Sequence, residues 1–584
     1  MKHTRPGSLR DLEIIKNSMK LLTQKIDLHV KFIFALVFIT FALRIWGIWN
    51  ATSTDEYNEV FEALRVCSGH LNLERWFKRF YLYVLSVEYG VYYGVGWILN
   101  MFQSPDDFAI KVLRNMEPLF ILGRITSALL GTGSVIMTYL AGKVLFNRTT
   151  GLLAALFLCL NVVNIELSHY ARVDASLCFL TMTTFYFIAQ IYSKQNKAKV
   201  IWYVLAGTFL GCAFQNKPQA VILIFPFAYA HLCRYKFNEV LKGMLEKKIA
   251  YFFLGGVLGF VIGNPAVLLA PMKFINSLLG LGQVYTSPIN ESRSEIGFIM
   301  YLRYFYKELG LLMSLVAGFC AMRSFSPVRR ETILLISFML PFYLLMGASR
   351  YMVSFSYMIP FMPFLYLLIA NCLQRYLVGR IAEQWLSITI VVISGCLLIH
   401  PVVNVIKFER SISGVNTRIL AKNWIEKNIP FGSKILMDSG KNINSSSPLI
   451  ALNKKAIDRI LTKKNENLME RSEKNGTGMV DEKSLIYFEM LRKTVPKESY
   501  DITSTGFGLY VYSLDYYITE KFQYLIISNS MRKARTDPYF SQKRPKIAAF
   551  YLSLDNDPRV HFVQKIKPTS TNSGDTFSIY KLRY

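Results

Sequence analysis

Three short stretches of this sequence place carboxylates and cations together at the ends of apolar runs. The first is Ser53-Thr-Asp55-Glu56-Tyr-Asn-Glu59-Val-Phe-Glu62, and the second is His169-Tyr-Ala-Arg172-Val-Asp174. The third is Phe214-Gln-Asn216-Lys217-Pro218, a lone lysine between two apolar segments. Arg350 ends another apolar run, and Glu88 lies inside a tyrosine-rich one. A positioned carboxylate can take the proton from an attacking hydroxyl, while lysine and arginine stabilise a departing anion such as a phosphate.

Each of these residues also has a structural reading. Ser53 and Glu56 are spaced as a capping box, and acids in a first turn are favoured by the helix dipole. That account covers Glu56 well and extends to Asp55. Arg172 and Asp174 read equally as a local ion pair, and Lys217 and Arg350 as cations snorkelling toward the interface. Asp174, however, opens an apolar helix near the depth where hydrocarbon begins, and ionisable groups there are functional candidates. Glu88 reads as a metal ligand, a hydrogen-bonding group or a solvated edge residue, and spacing does not choose.

The elements that must position these groups are membrane helices. The chain of 584 residues is 52% hydrophobic but only 18% charged, against roughly a quarter charged in soluble proteins. Run after run reaches the ~20 apolar residues that a crossing needs. Crossings are expected at about 30–50, 118–146, 151–168, 174–193, 200–216, 218–234, 249–270, 303–322, 331–349, 352–373 and 384–404. With these spans, the basic residues of the N-terminal tail (1–29), Arg148, Lys194–Lys199, Arg234–Lys248, Arg323, Arg329, Arg330, Arg375 and Arg380 fall on one side. That side is the cytoplasm by the positive-inside rule. The acid and cation stretches then share the opposite face. The apolar stretch Tyr81–Phe102 must lie at the interface, within the first outer loop 51–117, because one more crossing would invert every later loop. Residues 405–584 are polar, with strand-like runs at Tyr524–Ser528 and Phe577–Leu582 and a loop over Lys463–Lys483. They predict an extracytoplasmic α/β domain behind a mainly α, polytopic transmembrane domain (30–404).

Several classes are excluded. The net charge of +28 suggests nucleic acid, but no aromatic-plus-basic binding motif accompanies it, and basic residues gather naturally beside anionic lipid headgroups. Seven of the eight cysteines lie in apolar segments without metal-ligand spacing, so neither a disulfide framework nor structural zinc is expected. The first apolar run is too long for a signal peptide and reads as an uncleaved helix. A transporter or flippase for a lipid-linked glycan is the alternative reading. It predicts internal repeats and polar or broken helices at mid-membrane, whereas here no repeat is visible and the ionisable residues gather at one face.

Taken in order, these motifs resemble the GT-C glycosyltransferases of family 39, the group of protein O-mannosyltransferases and lipid A aminoarabinose transferases. The resemblance runs through Asp55-Glu56, the stretch around Glu88, Arg148-Thr-Thr-Gly-Leu-Leu-Ala-Ala, His169 to Asp174 and Asn216-Lys217. It continues through Gly263-Asn264-Pro265, Tyr357-Met-Ile-Pro360-Phe-Met-Pro363 and Asn416 to Gly432. It implies a fold of about 11 crossings and an inverting transfer of sugar from a polyprenyl-phosphate donor to a lipid, glycan or protein acceptor. For a bacterium the site faces the periplasm. The resemblance further implies Asp55 as base or acceptor-orienting group, with Glu56 and Asp174 as the other acidic positions. Lys217, with Arg172 or Arg350, faces the donor phosphate. Glu88 matches a glutamate that lies near a metal in some members, but Tyr89-Gly90 stands where some relatives have Lys-Pro. A lipid monophosphate leaves without needing a divalent ion, so no cofactor is required and metal use stays open. Ser356 occupies the place where an arginine often precedes the Tyr-x-x-Pro motif.

Overall fold

In a bilayer no water reaches the backbone, so an apolar run must satisfy its own amides, and the helix does this. The computed structural model describes residues 30–51, 55–69, 79–286, 296–323, 329–349, 353–438, 447–463, 482–493, 495–506 and 511–584. The basic tail before residue 30, Arg350 and most of the expected loop Lys463–Lys483 lie outside the described residues.

The first apolar run is helical over residues 30–45 (α1). Then come α2 (Glu56–Cys67), α3 (Arg79–Ile98), α4 (Pro105–Arg114), α5 (Glu117–Leu145), α6 (Arg148–Cys159), α7 (Val162–Ser168), α8 (Val173–Lys194) and α9 (Val200–Asn216). A 3-10 turn, Pro218–Leu223, leads into α10 (Ile224–Leu232), followed by α11 (Val240–Met244), α12 (Lys247–Gly263) and α13 (Pro271–Thr286). The series closes with α14 (Gly297–Arg323), α15 (Arg330–Gly347), α16 (Met362–Leu377), α17 (Glu383–Ser413) and α18 (Thr417–Asn428). Among the described residues, six helical segments are long and apolar enough to cross a membrane, and the pair α6 and α7, bent by 63°, makes a seventh if counted as one span. Val200–Asn216 and Pro218–Leu232 are apolar but shorter. Among the described residues, seven of the eleven expected crossings thus fall on segments of crossing length, with α6 and α7 counted as one. The expected crossings 200–216 and 218–234 fall on the shorter apolar helices, and 30–50 and 249–270 on α1 and α12, which are in neither group. The stretch 271–302, expected as loop, contains α13.

The helix α3 is not among the six. One face is fastened to α5 by tyrosines: Tyr81 donates to the Gly123 carbonyl at 2.8 Å and Tyr89 to that of Leu119 at 3.2 Å. Its other face shows Val87, Val91, Val95 and Trp97 outward.

The tightest helix pair is α9 against α12. Gly207 and Gly211 face Gly255 and Gly259, a small-xxx-small pattern on each helix. A Cβ on Gly211 would lie 2.3 Å from the Gly256 carbonyl oxygen, and one on Gly259 only 1.9 Å from that of Thr208. The two backbones touch because neither carries side chains there. This contact sets where α9 ends, and its cap residue is Lys217.

Past α17 the chain builds a five-stranded sheet in the order β2-β1-β3-β5-β4. The strands are β1 (Lys434–Met437), β2 (Asp501–Ser504), β3 (Tyr524–Ser528), β4 (Val560–Ile566) and β5 (Phe577–Leu582). β1 runs parallel to β2 and β3, while β5 is antiparallel to β3 and β4. Both strand-like runs of the sequence are thus strands. Directly after β1 comes Asp438, whose Oδ1 accepts from Thr505 at 2.7 Å and Tyr551 at 3.0 Å, while its buried Oδ2 finds no hydrogen-bond partner among the described residues. Burial pushes this carboxyl up to about 6.

Two outcomes are expected. Gly259→Ala should lower the thermal midpoint of the solubilised protein, at a cost of about 1–3 kcal/mol for an overpacked contact. Gly256→Ala, whose Cβ would meet nothing closer than 3.9 Å, should not. For Asp438 the folded value lies above the unfolded one, so the stability it permits is full below about pH 4 and is lost as pH rises to about 6. Across that window the loss is about 3 kcal/mol, at 1.36 kcal/mol per unit. Hydrogen exchange of β1 and β3 in the full chain should therefore show opening that increases from pH 4 to 6 in the wild type and not in Asp438→Asn.

Candidate active site

Asp55 is the cap residue at the start of α2, and Glu56 is its first helical residue. Successive helical residues diverge by about 100°, so these two neighbouring acids point in different directions. Asp55 faces outward with its side chain 55% exposed, whereas Glu56 is buried. The Glu56 carboxylate takes two bonds from Arg124 of α5, Oε1 from Nε at 2.7 Å and Oε2 from Nη2 at 2.9 Å. Its Oε1 also accepts the Ala171 N–H at 2.9 Å. Ser53, the other half of the expected capping box, lies outside the described residues, and the Glu56 carboxylate is taken up by Arg124 and the Ala171 amide. Glu56 joins α2, α5 and the loop that carries Arg172. Arg124 further donates to the Ile48 carbonyl at 3.0 Å and to Glu117 at 3.2 Å.

Arg172 is the cap residue of α8, and Asp174 lies in that helix's first turn, where the dipole favours an anion. Lys217 caps α9 in extended conformation, φ −150°, as a residue before proline must. This turns its side chain off the α9 axis toward α8. The neighbouring Asn216 fixes the corner, donating to Ser176 of α8 at 2.7 Å and accepting the Tyr81 N–H of α3 at 3.1 Å.

The outcome is a row of alternating charge. Asp55 Oδ2 lies 3.2 Å from Arg172, Arg172 lies 3.3 Å from Asp174 Oδ2, and Asp174 Oδ1 lies 2.5 Å from Lys217 Nζ. Side-chain exposure falls from 55% at Asp55 to 19% at Arg172, then to 1% at Asp174 and 8% at Lys217. The Lys217 ammonium also sits over the ring of Tyr357, 4.9 Å from its centroid. Three separate sequence stretches thus converge, together with the Tyr357 motif.

The loop that carries Arg172 hangs from a broken helix. Between α6 and α7 the chain bends, which leaves carbonyls at one end and amides at the other without helical partners. Arg44 of α1 reaches the Leu158 and Cys159 carbonyls at 3.4 and 3.5 Å and Asn164 Oδ1 at 2.6 Å. Asn161 accepts the Asn164 N–H at 2.7 Å, and Glu308 of α14 accepts that of Val163 at 3.4 Å. A cation at the α6 C-terminus and an anion at the α7 N-terminus both suit the dipoles. His169, at the end of α7, has its ring nitrogens 2.9 Å from the Ile165 carbonyl and 2.8 Å from that of Trp46.

Glu88 stands apart on α3, half-buried, accepting from Thr126 of α5 at 3.0 Å. Among the described residues no group of three His, Cys, Asp or Glu side chains stands together, at Glu88 or elsewhere. Arg350, expected as a third cation, lies outside the described residues. Arg124, Arg44 and Glu308 were not singled out from the sequence, although each is an ionisable residue within an apolar run, which is itself a signal.

The arrangement can be compared with known proteins. Residues 79–279 match the family model for dolichyl-phosphate-mannose-protein mannosyltransferase. No protein of curated function matches the sequence. The crystal structure of the Archaeoglobus fulgidus oligosaccharyltransferase, tethered with an acceptor peptide containing the NVT sequon, is similar at a TM-score of 0.50. Identity is 10%, over 95% of this chain and 74% of that one. ArnT from Cupriavidus metallidurans, bound to undecaprenyl phosphate, gives a TM-score of 0.49 at 12% identity, over 95% and 98% of the two chains. Fold and family match together define a membrane glycosyltransferase of the GT-C class. The family match covers residues 79–279, about a third of the chain, and is to a mannosyltransferase model.

Removing one partner of a buried ion pair strands the other, at about 3–5 kcal/mol. Glu56→Gln and Arg124→Gln should each lower the thermal midpoint of the solubilised protein strongly. The double variant should lose markedly less than the sum. Additive losses would show that the pair does not act as a unit.

Proposed function

We propose that this glycosyltransferase moves one sugar from a polyprenyl-phosphate donor to a hydroxyl-bearing lipid, glycan or protein at the row Asp55–Arg172–Asp174–Lys217. The observation that carries the reading is the graded burial of that row, exposed at its acidic end and buried at its lysine end. Asp55 is placed to take the acceptor proton as the new bond to the anomeric carbon forms. The bond from that carbon to the phosphate oxygen breaks, and its electron pair leaves with the lipid phosphate. Arg172 and Lys217 offset the charge gathering on that phosphate. Asp174 holds both cations in place. A single in-line displacement of this kind inverts the anomeric centre.

Supporting this reading, the family model matched by residues 79–279 is that of a dolichyl-phosphate-mannose-protein mannosyltransferase, and the archaeal oligosaccharyltransferase was crystallised with an acceptor peptide. The sidedness of the basic loops supports a bacterial plasma-membrane location. On that topology the N-terminus is cytoplasmic, and the row and the sheet domain face the periplasm.

The test uses purified full-length protein, a panel of polyprenyl-phosphate sugars, and Asp55→Asn. Consumption of one donor by the wild type is expected, with turnover reduced about a hundredfold or more in the variant. The thermal midpoint should stay close to wild type, because Asp55 is exposed and surface ion pairs contribute little. Normal turnover in Asp55→Asn would remove that carboxylate from the mechanism.

A further inference from the structure

The connection between α10 and α12 is an amphipathic turn with its apolar side facing outward. Phe237, Leu241, Met244 and Leu245 are 98, 75, 51 and 85% exposed. Their spacing of four, three and one residues places them on one helical face. They are not exposed because the turn is loose. His231 Nε2 donates to the Gly243 carbonyl at 3.1 Å, and Tyr235 donates to Glu246 at 2.8 Å. Arg234 pairs with Glu246 and donates to the Gln195 carbonyl of the neighbouring connection at 3.3 Å. Gly243 lies so close to the Tyr235 ring that a Cβ would stand 2.6 Å from it. The fold thus fixes four large apolar side chains in an outward position, and clusters of this kind mark a contact surface.

The charge beside the stripe identifies what covers it. Lys236, Lys242 and Lys247 are exposed on the turn, and Lys194, Lys197 and Lys199 on the connection to α9. Glu239 is the exposed acid of the turn, while Glu246 is engaged with Arg234 and Tyr235. A surface cavity of about 700 Å³ opens between Tyr235, Lys242, Leu245, Glu246 and Lys247. Apolar side chains flanked by lysines, at the ends of two apolar helices, have the chemistry of an element lying in the membrane interface.

We propose that this turn lies in the interface of the leaflet where α10 and α12 end, with Lys242 and Lys247 holding the headgroup of an anionic phospholipid. The four apolar residues enter the boundary of the acyl chains. The anchor then fixes the depth of the α10 and α12 ends, and through the α9–α12 contact that of Lys217. The surface is separate from the transfer site, and its partner is a resident lipid, not the donor.

The experiment uses the full chain in vesicles of phosphatidylcholine with and without phosphatidylglycerol. A fluorophore on Leu245→Cys, corrected with labelled wild-type protein, should be quenched by lipids bearing a nitroxide near the headgroup and not by aqueous iodide. Native mass spectrometry should show retained phosphatidylglycerol, and Lys242→Glu/Lys247→Glu should reduce that retention by about tenfold or more. Soluble glycerol phosphate should not displace the lipid. Iodide quenching, equal retention of both lipids, or displacement by glycerol phosphate would each overturn the proposal. Donor turnover by the lysine variant in detergent serves as the control that it is folded.

Discussion

The site depends on a carboxylate and a guanidinium that neither water nor lipid can serve. Glu56 and Arg124 are both buried, and either alone would carry an uncompensated charge in a low-dielectric interior. Their bidentate bond therefore dictates that α2 stays docked on α5, which is apolar enough to cross. The Ala171 amide completes the Glu56 shell and brings the following residue, Arg172, beside the residue preceding Glu56, Asp55. The catalytic candidates are aligned because their immediate neighbours in sequence are locked. This divides the Asp-Glu pair into a residue that faces outward and one that holds the framework.

The sheet domain is connected to the same cluster. Gly414 and Thr417 donate to the Thr571 and Ser573 carbonyls at 2.7 and 2.9 Å, so the last membrane helix is stitched to the final hairpin as it enters the domain. Arg418 then lies buried within the electrostatic field of Glu56, Arg124 and Glu117. The stretch Asn416-Thr-Arg418, which reads in sequence only as the start of a new domain, places a buried guanidinium within the field of the Glu56–Arg124 pair.

How much of this was legible depends on the physics carrying each feature. Hydrophobic runs announce their helices residue by residue, so most of the helices from 118 to 404 are readable, and the two strand-like runs fell where β3 and β5 are. Asp55, Arg172, Asp174 and Lys217 were visible as costly charges at apolar boundaries. The role of Glu56 was not, because a capping box and a buried ion pair look alike when only the near side of the pair is in view. Its partner lies far along the chain, inside a helix whose hydropathy conceals one arginine. Likewise the glycines of α9 and α12 are ordinary in an apolar segment until both helices are seen together. Closeness of backbone is a property of the pair and not of either sequence. Asp438 ends a short strand, and only the sheet shows that it is shut away from water.

The graded burial of the charge row has a further meaning for anything designed to block it. A water-borne compound approaching from the exposed end meets Asp55 first, so its head must be cationic or rich in hydroxyls to gain a foothold there. It then faces Arg172, and beyond that a lysine already committed to Asp174. An amphiphile that reaches the buried end needs the opposite polarity, an anionic head able to replace a carboxylate beside an ammonium stacked on a tyrosine. One row of four side chains therefore offers two pharmacophores of opposite sign, and a compound made to satisfy both must be a zwitterion with its charges spaced like those of the row.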